Sequence, residues 1–449
     1  MIAGVAAALH MQAQTGPVFT SWLINTTGIT GRHYISGSST PVSDTYPANV
    51  QSIEYATANV YVKSSGIPSY IVGPYLDGNP SLATNNNHIF KVPRNPAPNT
   101  GTHTTTPLGS IGVFINGVPM YDCKDAFSYK ASTGTNVQMG DGVWNRDAIV
   151  AERTGFDCAK GHPSPIFAGG PGGTLVGGTY HHHQNPTAFN LDIVPVSSVC
   201  DLYLADGLYS INSGTHSPLI GYAFDGYPVY GAYGYANSDG TGGIVRIKSS
   251  YKLRSITART HYADGTDVAD GPAVSSTFPL GIYREDYEYV AGYGDLDEHN
   301  GRFCVTPEYP SGTYCYFATV DANWNSAYPY IIGPTYYGVV SGGKVNSITE
   351  TTMPYTPPTA VTTMKKGSLD ATIFPNPAGD IIAIQIQGIL TTDVNMTLYD
   401  ITGRQISTSR INQGSTIAYI DARTLYNGDY VVRLTSGDAA ITKKVTISR

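Results

Sequence analysis

Along this chain apolar and polar residues alternate over short runs, and no long window holds the period of an amphipathic helix. Asn59-Val60-Tyr61-Val62-Lys63 is predicted as a strand. Ile111 to Tyr121 is predicted as an apolar strand entering the Asn116-Gly117 turn, where both positions tolerate positive φ and a tight hairpin follows. Residues 79–107, rich in Asn, Pro and Thr, are expected to form a long irregular connection. Residues 346–370, Thr- and Pro-rich without periodicity, are expected as a linker. Beyond them alternation returns at Ile382–Ile386, Met396–Asp400, Tyr430–Leu434 and Lys444–Ile447, with turns at Thr402-Gly403 and Asn427-Gly428, which predicts a small Ig-like β-sandwich.

The patterns repeat. Ile111-Gly112 to Tyr121 recurs as Ile220-Gly221 to Tyr230, with an Asn/Asp-Gly, a Pro and a Tyr at identical offsets. Asp157 to Gly161 is answered by Asp297 to Gly301, and Gly178-Thr179-Tyr180-His181-His182-His183 by Gly312-Thr313-Tyr314-Cys315-Tyr316-Phe317. Three elements in the same order, twice, predict an internal duplication over about residues 105–320, whose copies should be related by a pseudo-twofold axis. A looser pair, Tyr70 to Pro74 and Tyr330 to Pro334, flanks them.

The chemistry concentrates in the first copy. If residues 180–183 are strand, His181 and His183 share one face and His182 lies on the other. Two imidazoles on one face start a metal site, and His162, which follows the repeated Asp-x-x-x-Gly element, is the expected third ligand, ahead of His216 and His299. Nitrogens bound to one ion would then lie within roughly 3.5 Å of each other. Imidazole suits copper and zinc alike. Cys315, aligned with His181, would favour copper if it faced the same site, whereas a disulfide with Cys304 is the competing expectation. Against the metal stands a plain hydrogen-bonded Tyr/His network. Arg302, Cys315 and Phe317 replace the three histidines in the second copy, so a single site is expected.

Composition sharpens this picture. Charged residues make up 13%, against 34 Tyr, 50 Gly and 29 Pro, which fits many short strands joined by tight turns. The net charge of −7 is the balance of −9 over residues 1–364, with 17 Lys/Arg against 26 Asp/Glu, and +2 over residues 365–449, with 9 against 7, so nucleic acid is excluded as a partner of the acidic part. Five cysteines, all before residue 320 and without a CxxC, leave at least one thiol unpaired. Residues 1–14 read as the remnant of a secretory signal peptide, and no other stretch is apolar enough to be expected as a transmembrane segment. The acids Asp295, Asp297 and Glu298 lack calcium-loop spacing. The absence of Gly-x-Ser-x-Gly argues against a hydrolase, and no phosphate loop or dinucleotide fingerprint occurs.

Tyr180 to His183, Gly221 to Gly231, Leu296 to Arg302 and Thr306 to Tyr314 together resemble the YHYH domain family over about residues 55–340. The chain departs from the naming tetrapeptide in both copies, with His182 at the third position of one and Cys315 and Phe317 in the other. The family name implies no reaction.

Residues 371–449 resemble the C-terminal sorting domain of the type IX (Por) secretion system of Bacteroidetes, through Phe374-Pro375-Asn376-Pro377-Ala378, Leu398 to Arg404, Gly428 to Leu434 and Lys443-Lys444-Val445. That resemblance implies a secreted protein on the outer cell surface. Its partners would be the secretion and sorting machinery and, after removal of the domain, surface lipopolysaccharide.

The expected protein is therefore mostly β: a signal remnant (1–14), a large duplicated YHYH-type domain (15–345), a linker (346–370) and a sorting domain (371–449). Its expected role is cell-surface metal binding at His162, His181 and His183, copper ahead of zinc, with a redox metalloenzyme of unnamed substrate as the catalytic form. The alternative is a non-catalytic adhesion or glycan- or peptide-binding protein.

Overall fold

The computed structural model describes residues 16–75, 82–170, 172–187, 200, 203, 207–356, 369–386, 392–412, 417–436 and 439–448. The expected signal remnant lies outside the described residues. Among them the α-helices are single turns, Pro17–Thr20 and Ala148–Ala151, and nearly all other regular structure is strand. The chain divides into two compact units, Met1–Tyr355 and Thr356–Arg449.

In the first unit the two copies of the repeat build one sheet. The strands are β1 (Ser110–Phe114), β2 (Pro119–Tyr121), β3 (His162–Ala168), β4 (Thr174–His181), β5 (Leu219–Ala223), β6 (Pro228–Tyr230), β7 (Gly301–Cys304) and β8 (Thr313–Phe317). Six of them lie side by side as β7-β8-β6-β5-β1-β2, and a parallel bridge between Met120 and His182 adds the β4–β3 pair at the far edge. The order is a palindrome. Its centre is the antiparallel β1–β5 pair, where Val113 faces Tyr222 with Gly112–Ala223 and Phe114–Gly221 on either side.

Positions matched by the sequence repeat thus face each other across the pseudo-twofold. Val229 pairs with Tyr316 as Met120 does with His182, and Arg302 pairs with Cys315 as His162 does with His181. The repeated Ile-Gly has a steric reason at this axis. A Cβ on Gly112 would lie 2.7 Å from the Tyr222 carbonyl oxygen, and one on Gly221 would lie 2.5 Å from that of Val113.

The second repeated element also has a physical reason. In both copies the Asp carboxylate accepts the hydroxyl of the strand tyrosine: Tyr180 donates to Asp157 at 2.8 Å, and Tyr314 to Asp297 at 2.9 Å. The tyrosine reaches its partner by crossing a glycine, since a Cβ on Gly161 would stand 2.5 Å from the Tyr180 hydroxyl and one on Gly301 2.3 Å from that of Tyr314. The residue before each glycine, Lys160 or Asn300, has positive φ. Asp, Gly and Tyr form one clamp, twice. Burial pushes the Asp157 carboxyl up to about 7, against the hydrogen bonds it accepts from Gly161, Gly73 and Tyr180.

A second sheet in this unit joins Val50–Tyr55, Asn59–Ser64 and His88–Pro93, with Gly343–Val345 and Met353–Pro354 at its edges. His88–Pro93 corrects the expectation of irregular chain over 79–107. It pairs antiparallel with Asn59–Ser64 and buries Phe90 and Val92, an alternation too short to stand out among flanking Asn and Pro. Met353 and Pro354, within the stretch expected as linker, pair with Tyr55 and Glu54.

The second unit is a small sandwich of a three-stranded sheet (Ala371–Phe374, Ile381–Ile386, Ile417–Asp421) and a four-stranded sheet (Gln405–Ile411, Val394–Asp400, Gly428–Ser436, Ala439–Ile447). Alternate residues Ile382, Ile384, Met396, Leu398, Val432 and Leu434 fill its core, as period-two strands facing one another require.

Candidate metal centre

The first-copy edge of the large sheet gathers four side chains. Register places His162 opposite His181, with ring centroids 4.6 Å apart. His181 and His183 project to one face, where their Nε2 atoms stand 3.1 Å apart. His182 points to the other face, its Nε2 2.6 Å from the Tyr70 hydroxyl. The fourth member, Glu152, is absent from the sequence expectation. Its Oε2 lies 3.0 Å from His162 Nε2 and 3.2 Å from His183 Nε2. The four ligand atoms all fall within 4.8 Å of one another.

Each side chain is set by its backbone. Asp147 caps the turn Ala148–Ala151 by accepting from Val150 N, and its other oxygen accepts the buried Tyr330 hydroxyl at 2.8 Å. Glu152 N closes that turn onto the Ala148 carbonyl, which aims the carboxylate at the histidines. Tyr121 N donates to the His182 carbonyl at 2.9 Å, bringing the next carbonyl, that of Asp122, within 2.5 Å of His183 Nδ1. His181 Nδ1 meets the Thr179 carbonyl at 3.0 Å, and the Tyr121 ring stacks on His181 at 3.8 Å.

These contacts assign the tautomers. A carbonyl only accepts, so both Nδ1 atoms carry hydrogen, and each neutral ring presents a lone pair at Nε2. Two lone pairs therefore face each other at 3.1 Å, with a carboxylate oxygen beside them. His162 Nε2 and Glu152 Oε2 approach closely, yet neither makes a hydrogen bond of acceptable geometry. The arrangement repels itself unless a cation or a proton sits between the atoms. Imidazoles oriented by backbone carbonyls through Nδ1 are a common metal-ligand pattern.

Electrostatics follow from the same crowding. Burial alone would raise the Glu152 carboxyl, but His162 and His183 outweigh it and hold the group well below the carboxylate range. Burial, followed by the neighbouring rings, drives His181 well below the imidazole range and keeps it neutral. His183 moves upward, because the Glu152 carboxylate overcomes burial. The histidines are 2–7% exposed and the Glu152 side chain is 25% exposed, although its Oε2, which faces the histidines, is buried.

The remaining expected ligands lie elsewhere. His216 directs Nδ1 to the Ser217 carbonyl and packs on Tyr230; His299 bonds Thr335 and packs on His103. Cys315 occupies the position symmetric to His181 and lies beyond four intervening strands, so it does not face this cluster. Nor does it form the expected disulfide. The register sets Cys304 opposite Thr313 and Cys315 opposite Arg302, leaving the sulfurs 3.7 Å apart and unbonded. The disulfide present joins Cys158 and Cys200, with Cα atoms 5.2 Å apart.

The model of the family described as YHYH protein matches residues 89–328, and that of the secretion system C-terminal sorting domain matches residues 372–448. No curated protein matches the chain. Among solved structures, the dimeric latent PorU of Porphyromonas gingivalis is 22% identical over 18% of this chain; the match spans 9% of that chain at a TM-score of 0.15, too low to bear on the fold.

Proposed function

Because the chain belongs to the YHYH family and ends in a secretion sorting domain, we propose that it acts at the outer cell surface as a metalloprotein holding one divalent ion through His162, His181, His183 and Glu152. The sorting domain makes it a secreted, surface-attached protein that engages the type IX secretion machinery. No helix among the described residues is long and apolar enough to cross a membrane. Lipopolysaccharide attachment after removal of the sorting domain belongs to the same proposal.

The observation that carries the metal reading is the pair of Nε2 atoms 3.1 Å apart beside a carboxylate oxygen. A spacing of this size suits ligands each about 2.0–2.1 Å from a common ion. Three imidazoles and one carboxylate form a borderline donor set on which copper(II) outranks zinc in intrinsic affinity. With four protein ligands the ion is closed and structural. In the catalytic form of the proposal, a redox enzyme, the three histidines would hold the ion and Glu152, the most exposed of the four side chains, would be the ligand that makes room for substrate.

Elemental analysis of the purified mature protein tests the reading. We expect the wild type to hold about one copper or zinc per chain more than the His181→Ala/His183→Ala variant. Wild-type protein with no stoichiometric metal, or a double variant with the same content, would overturn it and leave the adhesive alternative.

A further inference from the structure

The opposite edge of the sheet holds a second buried group of donor atoms. The pseudo-twofold carries His162 and His181 onto Arg302 and Cys315, in the same paired register. Cys304, two residues along β7, adds another sulfur on the same face. Cys304 and Cys315 are 1% and 0% exposed, and their sulfurs lie 3.7 Å apart without a bond. Cys315 Sγ contacts the Thr313 carbonyl at 3.5 Å, repeating the contact of His181 Nδ1 with Thr179. One copy thus presents nitrogen and oxygen donors, and the other presents sulfur.

We propose that Cys304 and Cys315 form a soft-metal site that takes one monovalent ion of the copper(I) class between two thiolates. The spacing fits. It exceeds the roughly 2.05 Å of a disulfide and falls below the about 4.6 Å that separates two sulfurs each about 2.3 Å from one ion. Soft thiolates select such ions over the harder divalent ones. On binding, both thiol protons leave to solvent and no electron moves, so two thiolates and one monovalent cation carry one net negative charge. Arg302 supplies the compensating charge from the position where the other copy has His162.

The test uses silver(I), a redox-inert soft ion, added to the full chain after reductant is removed and read by native mass spectrometry. Wild type should bind one silver ion more than Cys304→Ser or Cys315→Ser, and His181→Ala/His183→Ala should keep that ion. Cys123 is present in every variant and cancels. Independently of any variant, silver should protect both thiols of the wild type from alkylation. Equal silver in wild type and both serine variants, no protection, or a wild-type chain already lacking both thiol hydrogens would overturn the proposal. The histidine reading stands or falls separately, because its double variant is scored in the same titration.

Discussion

His88 is 1% exposed, and neither of its ring nitrogens is hydrogen-bonded. Burial, helped by the charge of Lys344, pushes it down to about 3. A base whose folded pKa is depressed binds fewer protons folded than unfolded between that value and its ordinary one of about 6.5. Its contribution is therefore fully present above about pH 6.5 and is lost as pH falls toward about 3, at up to about 1.4 kcal/mol per pH unit. We expect urea denaturation of wild type and His88→Leu between pH 7 and pH 4 to show the variant gaining relative stability as pH falls. A difference independent of pH would contradict the burial argument.

At the scale of elements, the clamp formed by the Asp-x-x-x-Gly turn and the strand tyrosine invites a paired comparison. Gly161→Ala places a methyl 2.5 Å from the Tyr180 hydroxyl and 2.8 Å from the His182 ring, while Gly301→Ala does the same to Tyr314 at 2.3 Å. Each should destabilise by about 1–3 kcal/mol, the usual cost of overpacking. Only Gly161→Ala moves the strand that carries His181 and leads into His183, so the metal held by these histidines should be lost in that variant and kept in Gly301→Ala. Equal metal loss in both would mean that the two edges are coupled through the sheet. The strands β1 and β5 were legible because apolar runs enter Asn-Gly and Asp-Gly turns, whereas His88–Pro93 was hidden by the Asn- and Pro-rich chain around it.

For the whole molecule, we expect the surface form to be shorter than the full chain. Residues 372–448 match a secretion sorting domain, and we expect it to be removed after export by cleavage in the Thr/Pro-rich sequence that precedes it. Intact-mass measurement of protein released from cells should give a species ending near residue 360, and retention of Arg449 at the surface would refute this. The metal reading adds a further whole-molecule expectation. An ion that binds only the folded chain stabilises it by about 2.7 kcal/mol at a free concentration of 100 times Kd. Copper(II) should therefore raise the Tm of wild type and leave that of His181→Ala/His183→Ala unchanged.

Local order along the chain determined the strand-rich class, the sandwich at the C-terminal end, and the placement of His181 and His183 on one face with His182 on the other, because side chains on a strand alternate with period two. The repeat of three ordered motifs determined the duplication, since the glycines and tyrosines it preserves are those that the sheet axis and the clamps require. Only the tertiary structure decided which distant groups meet. Glu152 has no periodic or motif signal, and it reaches the histidines because Asp147 and Tyr330, far apart in the chain, fix the turn before it. The cysteine pairing was likewise invisible. Strand register set Cys304 and Cys315 diagonally, and chain packing, which sequence spacing does not encode, brought Cys158 to Cys200.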